Sequence, residues 1–266
     1  MEQASANPRD DIMIEAKFPD LQDEGVLITG GGSGIGAALV EAFAVQGARV
    51  SFIDIAAEPS RALAERLSAT TRNPVRFFNA DLRKTSEIGD VVKDAARATD
   101  GIKVLVNNAA WDDRHDIDTV TESYWDNNQS VNLKQMFFVT QAALPFLRQA
   151  GEASIINFSS ISFLLNMGDL PSYATAKAGI IGLTKSLAGR LGPENIRVNA
   201  LLPGMIVTER QKELWLTDDS IVTTTQRQCL KRTLLADDLA GPCLFLASST
   251  SRAITAQSII VDGGLL

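Results

Sequence analysis

The amino-acid sequence predicts a doubly wound α/β fold of the Rossmann type, a parallel seven-stranded sheet with helices on both faces in a single domain. Three observations predict it. Short β-branched runs alternate with helix-length segments. Several of those runs carry apolar residues on both faces, as strands of a sheet covered on both sides do. A glycine cluster joins the first run to the first helical segment, where such folds bind phosphate.

The strand candidates are GVLIT (25–29), RVSFID (49–54), VRFF (75–78), KVLVNN (103–108), SIINFSS (154–160), IRVNALLP (196–203) and SIIVDGG (258–264). Helical segments are expected at 34–46, 58–69, 84–98, 132–149, 172–191 and 236–247. Residues 1–21 read as a polar N-terminal extension ahead of a domain covering 22–266. The polar stretch at 204–232 breaks the rhythm, and a segment that long is expected to be a substrate lid rather than a simple connection. The alternative is a surface excursion without function.

With 25 Lys and Arg against 32 Asp and Glu, the net charge of −7 disfavours nucleic acid and anionic membranes as partners. Cys229 and Cys243 are too few for a disulfide scaffold and too far apart for a paired redox or zinc motif. Both are expected to be reduced thiols. Neither a secretory leader nor an apolar run of about 18 residues is present. A cytoplasmic setting is therefore expected.

The segment TGGGSGIG spans residues 29–36. Gly30, Gly34 and Gly36 allow a tight turn and close approach to a pyrophosphate, and the following helix offers unpaired N–H groups. A glycine cluster alone is also what any sharp strand-to-helix turn needs. Asp54 ends the second strand, where a carboxylate accepts hydrogen bonds from adenosine ribose hydroxyls and repels a 2′-phosphate. That favours NAD over NADP, although Asp is common in turns for other reasons.

The TGGGSGIG loop, Asp54, Asp81-Leu82, the NNAA run at 107–110, Asn132, Ser160, YATAK at 173–177, Pro203-Gly204 and VDGG at 261–264 stand in one order. In that order and spacing the chain resembles the short-chain dehydrogenase/reductase family over roughly residues 22–266. The resemblance implies NAD contacts from Gly30, Ser33, Gly34, Ile35, Gly36, Asp54, Asp81, Leu82, Asn108, Ala109, Tyr173, Lys177, Pro203, Gly204, Ile206 and Thr208. Asp81 would meet the adenine, and Ile206 and Thr208 the nicotinamide carboxamide and phosphates. Ala110 stands where the family usually has glycine. The family usually forms tetramers through the helices at 120–149 and 172–191 and its C-terminal segment, so a homotetramer is expected; apolar stretches such as AGIIGLTKSLAG agree with it.

Tyr173 and Lys177 are four residues apart on a helix and share a face. A free tyrosine has a pKa of about 10. An ammonium ~4 Å away at an effective dielectric of about 20 stabilises the phenolate by about 4 kcal/mol, or roughly three pKa units before desolvation is counted. Tyr173 is thus expected to be the acid/base, tuned by Lys177. A hydroxyl at the end of the fifth strand would orient the reacting oxygen, and the resemblance selects Ser160 over Ser159. It also assigns Asn132 to a water relay and lets Lys177 reach the nicotinamide ribose. With His115 the only histidine, neither histidine-based nor zinc-dependent dehydrogenase chemistry is expected, and no metal.

For the substrate, residues 111–126, the segment DIAAEPSRAL and the TERQ and QCLK segments resemble bacterial xylose 1-dehydrogenases and related aldose 1-dehydrogenases. A polyol needs donors and acceptors converging on a small cleft. Trp111, Asp112, Asp113, Arg114, Asn166, Arg210, Gln211 and Gln228 are candidates, with Trp111 or Trp215 covering a sugar face, and His115 is either a further contact or an exposed loop residue. The expected reaction is oxidation of an aldose at C1 to a lactone. Arg114 or Arg210 bound to a carboxylate would instead indicate a sugar acid such as a 2-keto-3-deoxy acid. A non-catalytic NAD-binding module is the remaining alternative, which the Ser160, Tyr173 and Lys177 set disfavours.

Overall fold

The computed structural model describes residues 16–266. In chain order the elements are β1 (Gly25–Thr29), α1 (Gly34–Val45), β2 (Arg49–Asp54), α2 (Ala57–Ser68), β3 (Arg76–Asn79), α3 (Thr85–Ala98), β4 (Val104–Asn107), α4 (Glu122–Gln129) and α5 (Gln135–Gln149). They continue with β5 (Ala153–Phe158), α6 (Pro171–Leu191), β6 (Ile196–Pro203), β7 (Ile206–Val207), α7 (Glu209–Leu214), α8 (Asp218–Arg227), β8 (Leu234–Leu235), α9 (Ala240–Ala247) and β9 (Ser258–Val261). The main sheet runs β3-β2-β1-β4-β5-β6-β9 with every pairing parallel, so the strand order reverses between β1 and β4. Ligands of such sheets bind at that reversal, beyond the strands' carboxyl ends.

Successive strand side chains point to opposite faces. Val26, Ile28, Val50, Phe52, Val104, Val106 and Ile156 face one layer, where Leu39 and Phe43 of α1 and Leu244 of α9 close the core. Leu27, Ile53, Leu105, Ile155 and Val198 face the other, against Ile88 and Val92 of α3, Val139 and Leu147 of α5 and Leu191 of α6. Both faces are therefore dry.

A buried polar row crosses this second layer. Asn107 donates to Asn157 (2.9 Å) and to Thr140 (3.1 Å), and Asn157 donates to Thr184 (3.0 Å). All four are at most 1% exposed, and each bond satisfies a group that burial would otherwise penalise. The row ties β4 and β5 to α5 and α6.

Three departures from the sequence reading have physical reasons. Helix forms at residue 122, well ahead of 132, although ESYWDNNQ lacks an apolar stripe: the Thr121 hydroxyl caps Tyr124 N–H at 3.1 Å. A turn of π-helix, Ser130–Lys134, joins α4 to α5. The segment 236–247 is split, with a 3₁₀ turn at Ala236–Leu239 before α9. Of the proposed extension, residues 1–15 lie outside the described residues, whereas Phe18 packs on the core and Leu21 is fully buried. Gln46 holds this segment by accepting from Phe18 N–H (2.9 Å) and donating to the Ala16 carbonyl (3.0 Å). The packed unit thus takes in residues 16–21 as well. Among the described residues, no helix is long and apolar enough to cross a membrane.

Candidate active site

The glycine loop leaves β1 and wraps against the start of the next strand's loop. Gly30 has φ +67°, and a Cβ there would lie 2.7 Å from the Ala109 Cα; a Cβ on Gly36 would lie 1.7 Å from the Gly30 carbonyl oxygen. Only glycine fits either place. The buried Thr29 hydroxyl accepts N–H bonds from Asn108 (3.0 Å) and Ala109 (3.1 Å), and the Asn108 side chain returns a bond to the Gly30 carbonyl (2.9 Å). Ser33 starts α1 without a side-chain cap, and Ser33 and Gly34 are exposed. Helix N–H groups left open in this way suit an anion.

Asp54 closes β2 beside this loop. Its Oδ2 accepts from Gly32 N–H and its Oδ1 from Ala56 N–H, both at 2.8 Å, which fixes the carboxylate and leaves acceptor capacity for a ribose. Leu82 is buried, whereas the Asp81 carboxylate is bound by Arg83 at 2.7 Å and held below its ordinary pKa by that contact. Thr208 caps α7 and its methyl sits 3.4 Å from where a Gly34 Cβ would be, so the 204–232 segment comes down on the glycine loop. The loop, Asp54 and the open helix end form a cradle that fits a nicotinamide dinucleotide.

A cleft of about 770 Å³ opens from this cradle and is lined by Ile35, Asn108, Pro203, Gly204 and Ile206 on the cofactor side. Ser160, Tyr173 and Lys177 share it. The two serines after β5 separate cleanly. Ser159 is buried and donates to the Lys177 carbonyl at 2.7 Å, whereas Ser160 lines the cleft and accepts from Ser162 N–H at 3.1 Å. That leaves the Ser160 O–H free to turn towards the Tyr173 phenol, which it pulls down in pKa.

The simple ammonium–phenolate pair expected from the spacing does not form here. Lys177 Nζ lies 5.3 Å from the Tyr173 ring centre and donates to the Phe158 carbonyl at 2.9 Å. Burial raises the Tyr173 phenol above its ordinary value, and the Asp112 carboxylate adds to the rise; Ser160 and Arg114 oppose it. Burial lowers the Lys177 ammonium to about 8. The desolvation that the spacing argument left out is the larger effect for both groups.

Asn132 sits in the π-helical turn, fully buried. Its side chain accepts from Trp111 N–H and donates to the Trp111 carbonyl, both at 2.9 Å, and also bonds the Asn128 carbonyl at 3.0 Å. It thereby anchors the loop that follows β4.

Of the substrate candidates, Asp112, Arg114, Asn166 and Gln211 line the cleft, with Trp215. Arg114 is clasped between Asp169 (3.3 Å) and the Trp215 ring (4.0 Å). Gln211 reaches Asp112 at 3.5 Å. Trp111, Arg210, Asp113 and Gln228 are not among the lining residues. Trp111 turns to Tyr124, with ring centres 6.3 Å apart, Arg210 is exposed on α7, Asp113 hydrogen-bonds Tyr124, and Gln228 is buried bonding the Leu230 and Arg232 carbonyls. His115 is partly buried rather than exposed and bonds Ser172 N–H. The sequence reading missed Asp169; an isolated acidic residue in a loop before a helix carries no pattern. Among the described residues no cluster of three or more potential metal ligands occurs.

A parallel sheet with a glycine cradle at its reversal, opening on a cleft with serine, tyrosine and lysine, defines a nicotinamide-dependent oxidoreductase acting on carbon–oxygen bonds. The chain matches the family described as Enoyl-(Acyl carrier protein) reductase over residues 30–266. It is 62% identical over 250 residues (94% of this chain, 98% of the relative) to a Rhizobium meliloti (strain 1021) protein named "Probable galactose dehydrogenase GalD". It is 44% identical over 252 residues (95% and 99%) to the D-xylose 1-dehydrogenase of Caulobacter vibrioides. A double mutant of a Serratia marcescens short-chain dehydrogenase/reductase superposes with a TM-score of 0.85 at 28% identity, covering 92% of this chain and 99% of the other. The chain belongs to the short-chain dehydrogenase/reductase family.

Proposed function

We propose that the protein oxidises the anomeric hydroxyl of a free pentose or hexose to a lactone, with NAD as the hydride acceptor. The observation that carries this reading is the wall opposite Ser160 and Tyr173. Arg114 Nη1, Gln211 Oε1 and Trp215 Nε1 are buried there without a hydrogen-bond partner. Two donors and one acceptor without partners, on residues that line the cleft, leave capacity for a ligand that both donates and accepts, as neutral hydroxyls do. Asp169 pairs with the Arg114 guanidinium through Nε at 3.3 Å and Arg210 is not among the residues lining the cleft, so the arginine charge at the cleft is already balanced and a neutral ligand is favoured over an anionic one. The sugar dehydrogenases named among the relatives point the same way.

In this reading Ser160 holds the anomeric oxygen, Tyr173 takes its proton, and Lys177 supplies positive charge from below. NAD, held by the glycine loop and Asp54, would supply the acceptor for the C1 hydride. Asp54 selects the unphosphorylated ribose. Asn132 serves the site by holding Trp111, and a water relay through the Asn132 region would reconnect Lys177 to solvent.

Residues 204–232 act as the substrate lid, contributing Gln211 and Trp215. Trp125 and Phe137 are 39% and 43% exposed on α4 and α5, as are Ile260 and Leu266 at 44% and 53% near the C-terminus, which supports a homotetramer through these faces. Free Cys229 and Cys243 suit a reducing cytoplasmic setting. Turnover across aldoses and sugar acids, read as NADH absorbance, tests the reaction. A base-labile lactone from a free aldose is the expected product; oxidation of sugar acids alone overturns the reading. Light scattering at micromolar concentration should give four subunits, and a monomer refutes the assembly.

A further inference from the structure

We propose that His115 is a positioning residue for the acid/base, capping the catalytic helix from outside as the neutral Nδ1–H tautomer. The inference rests on reading Tyr173 as that acid/base. A helix leaves its first N–H groups without intrahelical partners. In α6 the capping position is Leu170, which has no side-chain acceptor, and Pro171 has no N–H to satisfy. The first N–H in need is that of Ser172, fully buried and adjacent to Tyr173 in sequence. It donates to His115 Nε2 at 3.0 Å. From α4, Gln129 donates to the Ser172 carbonyl (2.8 Å) and hydroxyl (3.1 Å), so the residue preceding Tyr173 is gripped from two elements.

The tautomer follows from the partners. A backbone N–H can only donate, so Nε2 carries a lone pair and the ring proton sits on Nδ1. Nδ1 lies 2.9 Å from the Tyr124 hydroxyl and 3.1 Å from the Asp113 carbonyl. The Tyr124 hydroxyl in turn hydrogen-bonds the Asp113 carboxylate. The backbone N–H of His115 donates to the Asp169 carbonyl at 3.0 Å, fixing the loop to the segment before α6. The charged and titratable groups around the imidazole are Asp113 and Arg114 on its own loop, Tyr124 from α4, Asp169 ahead of α6, and the partial positive end of α6 itself. The opposite tautomer, with hydrogen on Nε2, would set N–H against N–H at that positive end and release the cap. Tyr173 would then lose its fixed height above the cleft, and a misplacement of about 1 Å costs on the order of a hundredfold in rate.

Two measurements test this. Because the chain has one histidine, ¹⁵N-histidine labelling of the untagged protein gives one imidazole to read, and the Nδ1–H tautomer with unprotonated Nε2 is expected; an Nε2–H tautomer overturns the proposal. Second, His115→Phe should lower kcat ten- to a hundredfold with the KM for NAD within twofold. His115→Gln, whose amide oxygen can replace Nε2, should recover most of that loss. Wild-type kcat in His115→Phe, or no recovery in His115→Gln, overturns the role. Tyr173→Phe measured alongside separates the two readings: if it still turns over, the acid/base assignment fails while the tautomer result stands by itself.

Discussion

Replacing Asp54 by asparagine changes one charge and one hydrogen bond at the mouth of the adenosine site. The carboxylate accepts from Gly32 and Ala56, both at 2.8 Å. An amide offers a single oxygen, so one of these N–H groups loses its partner at a cost of about 1 kcal/mol for a half-buried site. On the NAD side, a ribose hydroxyl exchanges a charge-assisted bond for a neutral one of roughly half the strength, again about 1 kcal/mol or about fivefold. On the NADP side, each unit of phosphate charge ~4 Å from the carboxylate is repelled by about 4 kcal/mol at an effective dielectric of 20. Asp54 is only partly buried and salt screens it, so relief of about 1.5–3 kcal/mol is the usable figure. The kcat/KM ratio for NAD over NADP should therefore fall on the order of a hundred- to a thousandfold. Steady-state kinetics with both cofactors and one aldose measures it. A ratio that shifts by less than about threefold in a folded variant refutes the role assigned to Asp54.

Tyr173→Phe should remove turnover and spare cofactor affinity, read by NADH absorbance and by fluorescence titration; retained turnover would require another acid/base. Since burial holds the phenol above its ordinary range, the oxidation rate should climb as pH rises from neutral into the alkaline region, and a flat profile contradicts this. Lys177→Met should inactivate the enzyme yet stabilise the fold. The folded-state ammonium sits at about 8, below its unfolded value of about 10.4. The unfolded state binds more protons between the two, so wild-type stability rises with pH across that window, and the full cost of the buried charge is felt below it. The gain in Lys177→Met should be about 1–2 kcal/mol near pH 6.5, once the Phe158 carbonyl has lost its donor, and should shrink above pH 8. Destabilisation at pH 6.5 would refute it. Gly36→Ala, whose methyl would meet the Gly30 carbonyl, should abolish cofactor binding by calorimetry.

What could be read from the sequence was what depends on neighbours along the chain. RVSFID and IRVNALLP are strands over the same residues in the fold, because short runs rich in β-branched and other apolar residues, bounded by turn signals, favour the extended form. Tyr173 and Lys177 line one cleft, as two residues four apart on a helix can, and Ser160, which the resemblance selected over Ser159, lines it with them. α4 was not legible, since its stability comes from a threonine cap and from packing against α6 rather than from an apolar face of its own. The far wall of the cleft was only half legible. Arg114 takes its character from Asp169 and Trp215, which belong to separate segments, and no local pattern pairs them. The burial of Tyr173 was hidden for a similar reason: spacing gives the charge but not the dryness around it.

The row Asn107–Asn157–Thr184 separates what this scaffold can vary from what it cannot. Together with Thr140 it locks β4 and β5 to α5 and α6 through fully buried side chains. A change there leaves a buried donor or acceptor stranded and shifts the catalytic helix as a body. The loop after β4 and the segment 204–232, which carry Asp112, Arg114, Gln211 and Trp215, stand above that row and do not share its bonds. Substitutions at Gln211 and Trp215 should therefore leave that row intact, whereas Asp112 and Arg114, which also bear on the Tyr173 phenol, and His115, which holds Ser172, tie the loop after β4 to the site beneath it.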